Sequence, residues 1–131
     1  VFITIQAKSQ LPLYEQVVQQ VKELVAKGIL KEGEQLPSVR ELAGQIVLNP
    51  NTVSKAYKEL ERQGVIMTLR GKGTFIAESS NRLVDPGKRD LIKEQLLRLV
   101  IEANYASITK NEFLTWVEAE YRALEGQKDE N

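Results

Sequence analysis

The sequence predicts a mainly α-helical protein with one small β-hairpin, and three stretches predict it. Leu36-Pro37-Ser38-Val39-Arg40-Glu41-Leu42 carries a helix start, with Ser38 as N-cap and Glu41 as its capping-box partner. Asn49-Pro50-Asn51-Thr52-Val53 is a second start, an N-cap candidate followed by proline. Arg70-Gly71-Lys72-Gly73 then joins two β-prone runs, Val65 to Leu69 and Thr74 to Ala77, with glycines where a tight hairpin needs positive φ. Two short helices followed by a basic hairpin make the ground plan of a winged helix-turn-helix, a shape that sets one helix into a DNA major groove.

The remaining elements follow in chain order. Phe2 to Ile5 alternates weakly, as a short strand or a tethered arm would. A helix begins at Pro12, a residue favoured at the first helical position. Leu13, Tyr14, Val17, Val18, Val21, Leu24 and Val25 give it one broad apolar face, and Lys27-Gly28 ends it. Lys31-Glu32-Gly33-Glu34 is a polar turn. In the next helix Val39, Leu42, Ala43 and Ile46 face inward. In the one after it Val53, Ala56, Tyr57 and Leu60 do so, and Gln63-Gly64 closes it. The other faces of that last helix carry Asn51, Thr52, Ser54, Lys55 and Lys58, all able to meet base edges or phosphates.

Residues 1–78 form the expected winged-helix domain, 79–87 a linker ending in the turn Asp85-Pro86-Gly87, and 88–131 a helical domain. One tail helix runs from about Lys88 to Tyr105. Thr109 and Glu112 form a second capping box and open another, whose end from Gly126 is polar and expected to fray. Leu96, Leu97, Val100 and Ile101 on the first, with Phe113, Trp116, Val117 and Tyr121 on the second, are more apolar surface than two helices can bury between themselves. Such a surface is either packed on the first domain or shared with a second copy, and these residues are the expected dimer interface.

Composition removes several classes of function. The 131 residues include no Cys and no His, so disulfides and the usual zinc-ligand sets are unavailable, and no cofactor is expected. Enzymatic work would fall to Lys, carboxylates, Ser, Thr and Tyr, and no pair of these is placed for it. Gly71-Lys72-Gly73-Thr74 imitates the end of a phosphate-binding loop. That loop needs a Gly where Ile66 stands and a Ser or Thr directly after the Lys, where Gly73 stands. No apolar run approaches a membrane span and no signal peptide opens the chain, so a cytoplasmic location is expected. Val1 rather than Met is first, consistent with a short leader ahead of it.

Net charge is zero, but its distribution is uneven. Residues 36–76 hold six basic side chains against three acidic ones, while residues 79–131 hold eight basic and ten acidic. A phosphate backbone responds to the local field, and the basic excess lies on the helix pair and hairpin.

Leu36-Pro37-Ser38-Val39-Arg40-Glu41-Leu42, Asn49-Pro50-Asn51-Thr52-Val53 and Gly71-Lys72-Gly73-Thr74-Phe75, preceded by Pro12-Leu13-Tyr14-Glu15-Gln16, resemble the DNA-binding domain of GntR-type bacterial transcription regulators over residues 12 to 77. The 53 residues after Glu78 are too few for the large effector domain of most such proteins, and the two-helix tail resembles the YtrA-type subfamily. The resemblance implies a homodimeric repressor on a palindromic operator, often of its own operon and of adjacent transporter genes. It places Arg40 on a phosphate or guanine edge, and Asn49, Asn51, Thr52 and Ser54 at the start of the recognition helix. Lys55 and Lys58 follow on its exposed face. Gly71, Lys72 and Gly73 fall at the wing tip, supported by Arg70.

Each residue also has a plainer role available: Asn49 as a cap alone, Lys58 as the partner of Glu61 one turn on. The chain departs from the usual pattern at Val47-Leu48, where relatives carry Gly-Val. A branched residue disfavours positive φ, so a remodelled turn or an extended helix is expected there. Gly44 interrupts a helix, and Met67 and Leu69 make the wing more apolar than usual. A winged-helix module for protein–protein contact and a sensor binding a small molecule are the alternatives. The polar face of the recognition helix argues against the first, and nothing indicates an effector for the second.

Overall fold

The computed structural model describes residues 3–82 and 85–129. Phe2 of the expected arm, and Leu83 and Val84 of the expected linker, lie outside the described residues. The chain divides into two compact units, Val1–Leu83 and Val84–Asn131.

The first unit contains α1 (Leu13–Ala26), β1 (Gln35–Leu36), α2 (Val39–Ile46), α3 (Pro50–Arg62), β2 (Ile66–Leu69) and β3 (Gly73–Ile76), followed by one 3₁₀ turn at Ser79–Asn81. The three strands form an antiparallel sheet in the order β1-β3-β2. Strand β1 has no counterpart in the sequence reading, because two residues are too few for a period to register. The hairpin is also tighter than expected: Gly73 pairs with Leu69 inside the ladder, which leaves Arg70, Gly71 and Lys72 as the loop.

Apolar periodicity decides the packing. Val17, Val18 and Val21 of α1, Leu42 and Ala43 of α2, and Val53, Ala56, Tyr57 and Leu60 of α3 are buried together with Leu36, Ile66 and Ile76 of the sheet. Helix α3 packs against both α1 and α2. Leu13, expected inward, is exposed, and Pro12 is the cap before the helix instead of its first residue, with extended backbone at ψ 149°. The buried polar residue of α1 is Gln16, whose amide accepts from Gln6 N–H at 2.9 Å and donates to the carbonyls of Gln6 and Leu11. One turn on, Gln20 does the same for Thr4, accepting from its N–H and donating to its carbonyl. The two amides fix residues 4 to 6 as an arm laid along α1, so the tethered arm is the alternative realised.

Four helices end in one way. In each, a residue with positive φ stands at the cap or just after it, and the next N–H reaches back five residues: Ile29 to Leu24, Leu48 to Ala43, Val65 to Leu60 and Ile108 to Ala103. This is the Schellman closure, which usually employs glycine. Gly28 and Gly64 supply it after α1 and α3, but Val47 (φ 54°) supplies it after α2 and Ser107 (φ 62°) after the helix Lys88–Tyr105. The expected remodelling at Val47 therefore does not occur, and α2 stops at Ile46. Two things hold the strained turn: the Leu48 bond to Ala43, and the packing of Leu48 against the core.

The second unit is α4 (Lys88–Tyr105) and α5 (Lys110–Asp129). Asp85 accepts from Gly87 N–H to start the first, and Thr109 accepts from Glu112 N–H to start the second. Helix α5 continues through Gly126, where fraying was expected. Of this unit's hydrophobic residues among those described, only Ala103 is fully buried. Leu97 is 60% exposed and Tyr121 64%, and Leu96, Val100, Ile101, Trp116 and Val117 are exposed as well. Phe113 is half-buried, edge-on to Trp116 at 6.1 Å.

Candidate nucleic-acid interface

Helix α3 is built to be locked on one side and open on the other. Asn49 caps it by accepting from Asn51 N–H at 2.8 Å, and Pro50 follows at the first helical position. The capping role named for Asn49 is therefore occupied. On the buried side, the Tyr57 hydroxyl donates to the Pro37 carbonyl at 2.7 Å, tying α3 to the residue just ahead of Ser38. Burial pushes the Tyr57 phenol up to about 12, with the Glu41 carboxylate adding to the shift. Ser38 and Glu41 complete the reciprocal capping box, so the first turn of α2, where Arg40 sits, is fixed at both ends.

Asn51, Lys55 and Lys58 lie exposed along the open side, with Thr52 and Ser54 half-buried at its borders. Lys58 forms no pair with Glu61. Among the described residues, Arg40, Lys58, Arg70 and Lys72 make no ion pair, so their charges remain available to phosphate. Arg62 behaves differently. It donates twice to Glu59, at 3.0 and 2.6 Å, and this with a bond from Gln63 holds the Glu59 carboxyl down at about 2. The cationic surface thus weakens toward the helix C-terminus.

Two residues that serve this surface were not singled out from sequence. Tyr14 of α1, read only as core, lies beneath Lys55, whose ammonium is 4.0 Å from the ring centroid. An aromatic at the rim of an apolar face, in the first turn of the helix, was the available signal. Gln35 of β1 reaches the wing, and no sequence pattern flagged it.

Gly71 (φ 77°) and Gly73 (φ 122°) shape the wing tip, and Lys72 N–H donates to Leu69 O at 2.9 Å to close it. A shallow cleft of about 260 Å³ between α1 and α3 is lined mostly by polar groups, including Glu15, Gln19, Glu59 and Gln63. Pockets for small molecules are mostly apolar. No described helix is long and apolar enough to cross a membrane.

A capped helix with a polar, cationic open face, held by a second helix and followed by a Gly-Lys-Gly wing, defines a winged helix-turn-helix DNA-binding regulator. Residues 13–76 match the family described as "Bacterial regulatory proteins, gntR family". The chain is 52% identical over 126 residues to the "HTH-type transcriptional repressor YtrA" of Bacillus subtilis (strain 168), covering 96% of this chain and 97% of that protein. Among solved structures it is similar to a "Transcriptional Antiterminator from Listeria monocytogenes EGD-e" (45% identity, TM-score 0.86, 95% and 92% of the two chains). It also resembles AraR(DBD) "in complex with operator ORE1" (29% identity, TM-score 0.50, 56% of this chain and 89% of that one). The chain belongs to the GntR family of bacterial transcription regulators.

Proposed function

We propose that the protein acts in the cytoplasm as a homodimeric repressor that occupies a palindromic operator; the name of its YtrA relative supports the repressor part of this reading. The observation that carries this reading is the division of α3 into a face locked in the core and an open face bearing Asn51, Lys55 and Lys58. Asn51, Thr52 and Ser54 lie at the helix N-terminus, where the macrodipole favours phosphate. Arg40 presents a planar fork to a guanine edge or a phosphate. Arg70, Gly71, Lys72 and Gly73 carry charge to the adjacent backbone.

The second unit supports two-fold symmetry. Its exposed Leu96, Leu97, Val100, Ile101, Trp116 and Tyr121 fit a second copy of the same face, which would bury them isologously. Two recognition helices would then enter major grooves about 34 Å apart or a multiple of it.

Selection of bound sequences from a random duplex pool, with titration of the enriched duplex, tests the reading. A palindrome should emerge, and Arg40→Ala should weaken its binding by about 1–3 kcal/mol. Equal binding to enriched and scrambled duplexes would defeat it.

A further inference from the structure

Gln35 lies in β1, paired opposite Phe75 of β3, and its side chain extends to the wing tip. There Nε2 donates to the Lys72 carbonyl at 3.2 Å, a bond that spans 37 positions of sequence. Lys72 is therefore held on both sides of its backbone, with its N–H on Leu69 and its C=O on Gln35. Lys72 is flanked by glycines, the residue type with most freedom to lose, yet Lys72 itself is pinned.

The absence of a side chain at Gly73 makes room for the same arrangement. A Cβ at residue 73 would lie 2.5 Å from Gln35 Nε2, so the amide occupies space that only glycine leaves. Any other residue there would push the amide off the Lys72 carbonyl, besides being strained at φ 122°. Both Gln35 and Lys72 are exposed, and water could satisfy this carbonyl equally well. The bond is thus not required by burial. Its effect is to fix where the lysine stands before anything binds, which removes an ordering cost from the binding step.

We propose that Gln35 is a positioning residue for DNA binding, holding the wing tip so that Lys72 meets a phosphate. This rests on the reading of the wing given above. Gln35 is uncharged, and that makes the idea separable from a stabilising role. Each lysine–phosphate contact contributes about 0.9 to the slope of log affinity against log salt, whereas a neutral side chain contributes nothing directly.

The experiment is a salt titration of binding to a mixed-sequence duplex several helical turns long, with melting of each free protein alongside. Lys72→Ala should lower the slope by about 1. Gln35→Ala and the near-isosteric Gln35→Met should each reproduce at least half of that loss, with melting temperatures like the parent, and should add nothing in a Lys72→Ala background. A full slope in both Gln35 variants beside a lowered slope in Lys72→Ala would overturn the positioning role and leave the wing contact standing. An undiminished Gln35 effect in the Lys72→Ala background would also overturn it. A full slope in Lys72→Ala itself would remove the wing contact, and the proposal with it.

Discussion

The two units of this chain spend similar apolar material in opposite ways. In the first, Val17, Val53, Ala56 and Leu60 are wholly enclosed by neighbours from helices and sheet. In the second, α4 and α5 together enclose only Ala103 among the described residues and leave leucines, Trp116 and Tyr121 facing outward. Three helices packed with a small sheet can close on themselves, whereas two helices give each other one face and have no third element within their unit to cover the rest. The first unit encloses its own apolar core; the second leaves most of its large apolar side chains exposed among the described residues.

Substitutions can break that contrast or sharpen it. The largest effect is expected at the enclosed end: Leu60→Ala should destabilise the first unit by about 2–5 kcal/mol, since it leaves a cavity on α3. Denaturant unfolding should show this loss independently of protein concentration. Trp116→Ala should do the reverse, with little intrinsic cost at an exposed site but about 2 kcal/mol lost from self-association if the residue anchors the dimer. Sedimentation equilibrium would measure it, and an unchanged association constant would remove Trp116 from the interface.

Tyr57→Phe is a smaller change of about 1 kcal/mol, the value of the hydrogen bond to Pro37. It carries a pH signature. The folded phenol is raised from 10.0 to about 12, so its stabilising contribution is complete below pH 10 and is lost as pH rises toward 12. Unfolding followed across that window should lose stability in the parent and not, from this source, in Tyr57→Phe.

The smallest changes lie in α2, where Gly44 and Val47 stand in the reverse of the stable order. Gly44 has open space around its Cβ position, so Gly44→Ala should add about 0.5–1 kcal/mol. Val47→Gly should recover up to about 1 kcal/mol of left-handed strain, net of the entropy that glycine loses. Both should raise the thermal midpoint and leave association of the tail untouched.

Much of the first unit was legible because its signals are local. The Ser38–Glu41 box, the Asn49-Pro50 start and the inward set of α3 each depend on spacing within one or two turns, and each is present as read. What escaped depends on contacts across the chain or on competition. Strand β1 exists only because β3 is beside it. Leu13 was given to the core by periodicity, but Gln16 takes the buried position because the arm needs its amide. The turn at Val47 follows a closure that outweighs local strain, which no propensity of valine reveals. At the candidate interface, Lys55 was legible as a polar residue on α3 but its seat on Tyr14 was not, because the ring comes from another helix.

The Gln16 and Gln20 amides have a consequence for how the chain's beginning is measured out. Residues four apart on a helix are separated by about 6 Å along its axis, and residues two apart in an extended chain by about 6.6 Å. The two glutamines therefore act as a ruler for alternate peptide groups, doing for the arm what a neighbouring strand would do. Thr4 and Gln6 are gripped through their backbones, and Ile3 before them and Ile5 between them are turned toward the core. Like any ruler of period two, it tolerates no shift by one. Inserting a single residue between Gln6 and Leu11 can be absorbed by the loop, but inserting one between Ile3 and Gln6 would turn an isoleucine out into water and set a polar residue against the core.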